Sequence, residues 1–308
     1  MLITGCVKIA IVLNDKAGQL DRAACEQRAR EILAACGQRG IEATTHLCKG
    51  AQLTTKAREL AASGVDAVVA AGGDGTVSAV AAGLVDGKVA LGVIPLGTLN
   101  HFSKDLGITD LETALDAIAA GHTESVDVGE VNGRVFVNNS SIGLYPEMVA
   151  RRDAGRRMYG RGKWHAMVRA AFRTLLRFRL LHIAIGLAGR VMTARTPFVF
   201  VGNNEYSRDI GTLGTRRRLD RGRLSIYTIR ATRRLHMFWV MVRAVFRRNE
   251  PDDFEAHAVE RADIVSRKHL LSVALDGEVV RMKPPLQYRT RPGALRVIAP
   301  AAATQENA

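Results

Sequence analysis

A chain of 308 residues with 47% hydrophobic content can bury the cores of two domains and is not a disordered protein. Its 44 Lys and Arg against 30 Asp and Glu leave a formal charge of +14, which favours an anionic partner such as a nucleotide, a nucleic acid or an acidic lipid surface. The most apolar stretch, residues 235–246, is broken by His236 and Arg243 and falls short of the roughly 20 apolar residues of a membrane span. Residues 1–6 lack a basic leader, so no signal peptide is expected. Cys6, Cys25, Cys36 and Cys48 form no C-x-x-C pair and read as reduced thiols of a cytoplasmic protein, not as a zinc site or disulfide framework.

Residues 7–13 are apolar and β-branched, which predicts a buried strand closed by the polar turn Asn14-Asp15-Lys16-Ala17-Gly18. Helical spacing follows over 21–36, a strand over 41–47 and a helix over 51–63. Residues 65–71 carry almost no polar interruption, as a strand buried on both faces requires. They run into Gly72-Gly73-Asp74-Gly75-Thr76 and a helix beginning there, and a further strand over 89–94 runs into Pro95-Leu96-Gly97-Thr98-Leu99-Asn100. The repeated βα order predicts a parallel sheet covered on both faces, with three polar loops at the strand ends where such sheets bind ligands. From about residue 123 the pattern changes to short strands at 126–131, 135–139, 181–187, 197–202, 223–229 and 269–275, which predicts an antiparallel β-sandwich.

The loop at residues 72–76 carries the most chemistry. Gly72, Gly73 and Gly75 leave backbone N–H groups open to a phosphate, and the helix that starts at Thr76 favours the same negative charge. A carboxylate beside a phosphate is repulsive unless a cation lies between them, so Asp74 points to Mg²⁺ bound with a nucleotide. This stretch resembles the nucleotide-binding signature of the diacylglycerol kinase catalytic family, shared in part with sphingosine, ceramide and NAD kinases. Pro95-Leu96-Gly97-Thr98-Leu99-Asn100-His101-Phe102, followed by Lys104-Asp105-Leu106-Gly107-Ile108, resembles the second signature of the same family. The turn from Asn14 to Gly18 is similar to its N-P-x-x-G, with Asp15 in place of Pro, and Leu275-Asp276-Gly277-Glu278 is similar to its L-D-G-E. Residues 126–129 and 136–143 are similar to the segment that enters the second domain.

The resemblance implies an α/β nucleotide-binding domain over 1–122, rejoined by the last strand at about 294–308, and a β-rich sandwich domain over 123–293, with a cleft between them. It implies an ATP- and Mg²⁺-dependent lipid kinase acting on a hydroxyl such as that of diacylglycerol. Gly72, Gly73, Gly75 and Thr76 would cradle phosphate, Asp74 would order Mg²⁺, and Gly97, Thr98 and Asn100 would add nucleotide contacts, with Asn14 and Lys16 in the same role. Asp276, ahead of Glu278, would be the general base, although Asp-Gly is also a common turn dipeptide. Two positions depart from the family pattern: His101 stands where Asp is common, and Arg221 stands where an Asp holds a structural Mg²⁺ in relatives, so that site is expected to be absent or its metal replaced by the guanidinium, unless Asp220 substitutes.

Basic amphipathic stretches over 151–177 and 233–248 suit an anionic membrane surface, and equally a solvated face packed on the sandwich. The expected setting is the cytoplasm, peripheral to the inner membrane face, with a lipid substrate as partner and a homodimer left open. Nucleic acid is not expected as a partner, because no reading motif occurs and aromatic content is 5%. A sphingoid, ceramide or NAD kinase, or a non-catalytic nucleotide-gated lipid-binding protein, stays open as an alternative.

Overall fold

The computed structural model describes residues 7–15, 22–143, 180–187, 190–206, 216, 218–229 and 254–301. Lys16 and the basic stretches at 151–177 and 233–248 lie outside the described residues. The chain divides into two compact units. Unit 1 comprises Met1–Val128, Thr215–Arg221 and Arg291–Ala308, and unit 2 comprises Gly129–Gly214 and Gly222–Thr290. The short segment around Arg216 thus belongs to unit 1, although the sequence reading put it in the second domain.

Unit 1 is built from β1 (Lys8–Asn14), α1 (Arg22–Gln38), β2 (Glu42–Cys48), α2 (Leu53–Ala61), β3 (Ala67–Gly72), α3 (Asp74–Leu84), β4 (Ala90–Pro95), α4 (His101–Asp105) and α5 (Leu111–Ala120). The strands pair in parallel in the order β2-β1-β3-β4, with Ile9 opposite Ala67 and Val68 opposite Leu91. Every residue of β3 is buried, as its uninterrupted apolar run requires of a central strand between helical layers. The last described strand, β16 (Leu286–Ile298), adds its C-terminal end beside β4, with Val297 parallel to Leu91.

Unit 2 contains β6 (Arg134–Phe136), β7 (Asn139–Gly143), β8 (Leu181–Leu187), β9 (Arg190–Thr196), β10 (Phe198–Asn203), β11 (Leu224–Ile229), β12 (Phe254–Val259), β13 (Arg261–Ser266), β14 (Leu271–Leu275) and β15 (Glu278–Met282), while β5 (Thr123–Val131) spans the division. One sheet runs β12-β11-β10-β7-β14-β15 and is antiparallel throughout; the other sets the N-terminal part of β16 beside β13, then β8 and β9. Ile142, Val201, Ile226 and Val273 from the first sheet and Ile183, Ile185, Ile264 and Leu286 from the second fill one core. This is the sandwich arrangement, in which alternate residues of each strand point inward. Tyr288 sits within it, edge-on to Phe136, and its hydroxyl shares a 2.9 Å hydrogen bond with Ser140. Burial pushes that hydroxyl's pKa up, so it stays protonated there.

Candidate functional site

In a parallel sheet all strands end on one edge, so the loops after β1, β3 and β4 open on the same side of unit 1. The loops after β3 and β4 are packed backbone on backbone. A Cβ added to Gly97 would lie 2.5 Å from the Cα of Gly73 and 2.6 Å from Asn100 Oδ1, and one added to Gly72 would lie 2.5 Å from Thr76 Oγ1. Glycine is required at position 97 because the backbone of Gly73 occupies the space where a side chain would go. The Leu96 N–H donates to the Gly72 carbonyl at 3.0 Å and closes the contact.

Asn100 holds the second loop in shape from within. It adopts a left-handed conformation (φ 50°, ψ 51°), its Oδ1 accepts the Gly97 N–H at 3.0 Å, and its Nδ2 donates to the Gly97 carbonyl at 2.9 Å. Asn tolerates that conformation better than most residues because its short amide can bond locally. Asp74 opens α3, and its Oδ1 accepts the N–H of Phe102 at 3.2 Å. The carboxylate of the first signature therefore bonds directly to the backbone of the second. Gly97 and Thr98 are exposed, whereas Thr76 is buried. Asn14 ends β1 opposite Cys48. Exposed His101 is the first residue of α4.

These residues fit a nucleotide carrying a divalent cation. The turn entering α3 is lined by glycines that admit close approach, its Thr76 and Val77 N–H groups close onto the Gly73 carbonyl at 2.9 and 3.1 Å, and Asp74 is a hard oxygen donor beside them. Asp74 is the residue that would hold Mg²⁺.

Asp276 and Glu278 belong to unit 2, in the hairpin between β14 and β15. Asp276 and Gly277 have φ of 46° and 89°, positive at both central positions as in a type I′ turn. The Asp276 carboxylate accepts three backbone N–H groups, from Val137 at 2.8 Å and from Asn138 and Asn139 at 2.8 and 2.9 Å. Those bonds favour a fixed anion that pins the β6–β7 connection. Glu278 starts β15 and is exposed to solvent. Of the two carboxylates expected to act as base, Asp276 is thus the anchored one.

Asp220, the alternative ligand for a second-domain cation, pairs with Arg218, whose Nε and Nη2 lie 2.8 and 2.6 Å from its two oxygens. The Arg218 guanidinium holds its carboxyl below the usual carboxylate range. Sequence reasoning missed a different pair in unit 1. Arg216 and Asp105, buried to 0% and 2% side-chain exposure, join through Nη2 and Oδ2 at 2.8 Å. The available signal is an acid in the second signature and an Arg in a basic triplet; a separation of 111 residues hides the partnership.

Residues 8–131 match the family model described as the diacylglycerol kinase catalytic domain. A diacylglycerol kinase of Bacillus subtilis (strain 168) is 37% identical over 144 residues, 45% of this chain and 46% of the relative. Another from Staphylococcus aureus (strain JH9) is 44% identical over 81 residues, 25% of this chain and 26% of the relative. The matched stretches thus span about half or less of these curated relatives' length. A crystal structure of a candidate diacylglycerol kinase from Bacillus anthracis Sterne superposes with a TM-score of 0.72 at 26% identity, covering 96% of this chain and 98% of the other.

Proposed function

We propose that the chain, whose residues 8–131 match the diacylglycerol kinase catalytic domain family, is an ATP- and Mg²⁺-dependent lipid kinase whose acceptor is a lipid alcohol such as diacylglycerol. The observation that carries the reading is the junction of the two loops, Gly73 against Gly97 and Asp74 bonded to the Phe102 N–H. Phosphoryl transfer asks a protein mainly for positioned phosphates and charge neutralisation. In this reading the backbone N–H groups of Gly73 and Gly75 bind phosphate, Thr76 holds the turn through its N–H to the Gly73 carbonyl, Asn100 keeps the second loop in its bound shape, and Thr98 adds a side-chain contact. Magnesium held by Asp74 would neutralise phosphate charge.

Deprotonation of the acceptor hydroxyl falls to Glu278, ahead of Asp276. A carboxylate that already receives three amides is a poor place to receive a proton, because accepting one forfeits those bonds. Glu278 takes the hydroxyl proton as the oxygen bonds to the γ-phosphorus, and the bond from that phosphorus to the β–γ bridging oxygen breaks to release ADP. Asp276 positions the turn that presents Glu278. The formal charge of +14 supports an acceptor met at an anionic membrane face.

Purified protein is incubated with γ-labelled ATP, Mg²⁺ and mixed micelles of a total lipid extract, beside the Asp74→Ala variant. A labelled lipid that disappears in the variant is the expected result and identifies the acceptor class. ATP binding without any labelled lipid would overturn the lipid-kinase reading and turn attention to a soluble acceptor such as NAD.

A further inference from the structure

We propose that Arg216 is a positioning residue of the nucleotide loops, acting on them through α4; this deepens the kinase reading and rests on it. A five-residue helix is too short to hold its own shape, so contacts from outside set where α4 lies. Its N-terminal side carries Asn100 and the Phe102 N–H that meets Asp74. Its last residue is Asp105, a carboxylate at the end of a helix where the backbone dipole is negative. With its side chain only 2% exposed, that acid requires a cation.

Arg216 supplies one with directed geometry. Its Nε and Nη2 both reach Oδ2 of Asp105 at 2.8 Å, and its backbone N–H reaches Oδ1 at 3.0 Å. The same guanidinium lies 6.0 Å from the centre of the Phe102 ring. One side chain therefore bonds the residue that ends α4 and lies over the ring of the residue whose amide meets Asp74. Leu219 fastens the segment again, its carbonyl accepting the Asp127 N–H at 2.7 Å. The neighbouring pair of Arg218 and Asp220 is a contrast: those side chains are about half exposed, where an ion pair contributes little.

A buried ion pair is a weak source of stability, since desolvating two charges offsets much of their attraction and apolar replacements are often as stable. Three directed hydrogen bonds supply what apolar contact does not, a fixed position and rotation of α4. That rotation sets where Asn100 and the Phe102 amide stand relative to Asp74.

The test compares the full chain with Arg216→Met, Arg216→Lys and the double variant Arg216→Met/Asp105→Leu. Equilibrium binding of a fluorescent ATP analogue with Mg²⁺, KM for ATP and for lipid, kcat and thermal melting are read for each. Arg216→Met is expected to weaken ATP binding and raise its KM by roughly ten- to a hundredfold, with the lipid KM unchanged. Lys keeps the charge but not the fork, and should fall between. The double variant is expected to melt close to the wild-type chain while its KM for ATP stays raised, which a purely structural pair would not produce. A double variant, or a folded Arg216→Lys, with wild-type melting and wild-type ATP affinity would overturn the inference alone. A wild-type chain that binds no ATP would overturn the kinase reading and this inference with it. Should Arg216→Met fail to fold, the Lys and double variants decide.

Discussion

Gly97 and Gly73 approach until no side chain fits between them, and this makes Gly97→Ala the most economical probe of the nucleotide site. A methyl group 2.5 Å from the Gly73 Cα must push the two loops apart, because the atom it meets is backbone. ATP affinity should fall by roughly tenfold or more while the sheet behind the loops is untouched, which equilibrium nucleotide binding together with thermal melting would establish. The two carboxylates of the β14–β15 turn should separate in the opposite senses. Asp276→Ala strips three backbone amides of their acceptor and is expected to cost about 2–3 kcal/mol in urea denaturation. Glu278→Gln should leave the melt unchanged and lower kcat by roughly 10²–10⁴-fold. At this scale the sequence was informative where a residue type implies a demand on the backbone. The glycines and Asn100 were legible for that reason. The division of labour between Asp276 and Glu278 was not, because it depends on which amides the folded chain brings to the turn.

Elements differ in how openly they announce themselves. The strands β1, β3 and β4 are continuous apolar runs and were readable from composition alone, and β8 was read at its observed bounds. The strands β9, β12, β13 and β15 went unread, and of β16 only the C-terminal end was expected. In β13 the buried residues are Ala262 and Ile264, set between exposed Arg261, Asp263 and Val265, and two inward side chains are too few for a period to stand out. Pro292 and Gly293 fall inside β16 and argue locally against a strand, a preference that pairing with β13 and β4 overrides. The helix α5 carries a pH-dependent feature. Its N-cap Asp110 accepts the Thr113 N–H at 2.9 Å, and that bond, with the Thr109 and Thr113 hydroxyls, holds its carboxyl below the usual range. A depressed carboxylate contributes stability that is complete above its unfolded pKa and is lost as the pH falls through the folded value. Asp110→Ala should therefore lower the melting temperature at neutral pH and lose that difference progressively under acid conditions, as a pH series of melts on both proteins would record.

On the scale of the whole molecule, the two-domain plan is legible from the change in periodicity near residue 123, but the place of Thr215–Arg221 in unit 1 is not. That unit is assembled from Met1–Val128, Thr215–Arg221 and Arg291–Ala308, and no local pattern tells a seven-residue segment to leave its neighbours. Its dependence on the distant pieces can be tested by truncation. A chain ending at Thr290 lacks the Val297–Leu91 pairing, the Ala294 carbonyl that accepts the Asp86 N–H, and the Arg291 contact to Asp86. It should lose ATP binding and show no cooperative melt of unit 1, whereas one ending at Pro300 should retain both. The positive charge belongs to this scale too: flotation with acidic liposomes should be strong at low ionic strength and fade as salt is added, and no binding at low salt would remove the membrane-face reading.

The late arrival of β16 also has a consequence for biosynthesis. Leu91 leaves the ribosome about two hundred residues ahead of Val297, its partner in the sheet. At roughly 5–20 residues per second, the edge of β4 waits some ten to forty seconds for cover. Throughout that interval a nascent chain carries an apolar strand with open hydrogen-bonding groups, a template for pairing with the wrong neighbour. Translation rate and chaperone supply should therefore govern the yield of soluble protein more strongly than the stability of the finished fold.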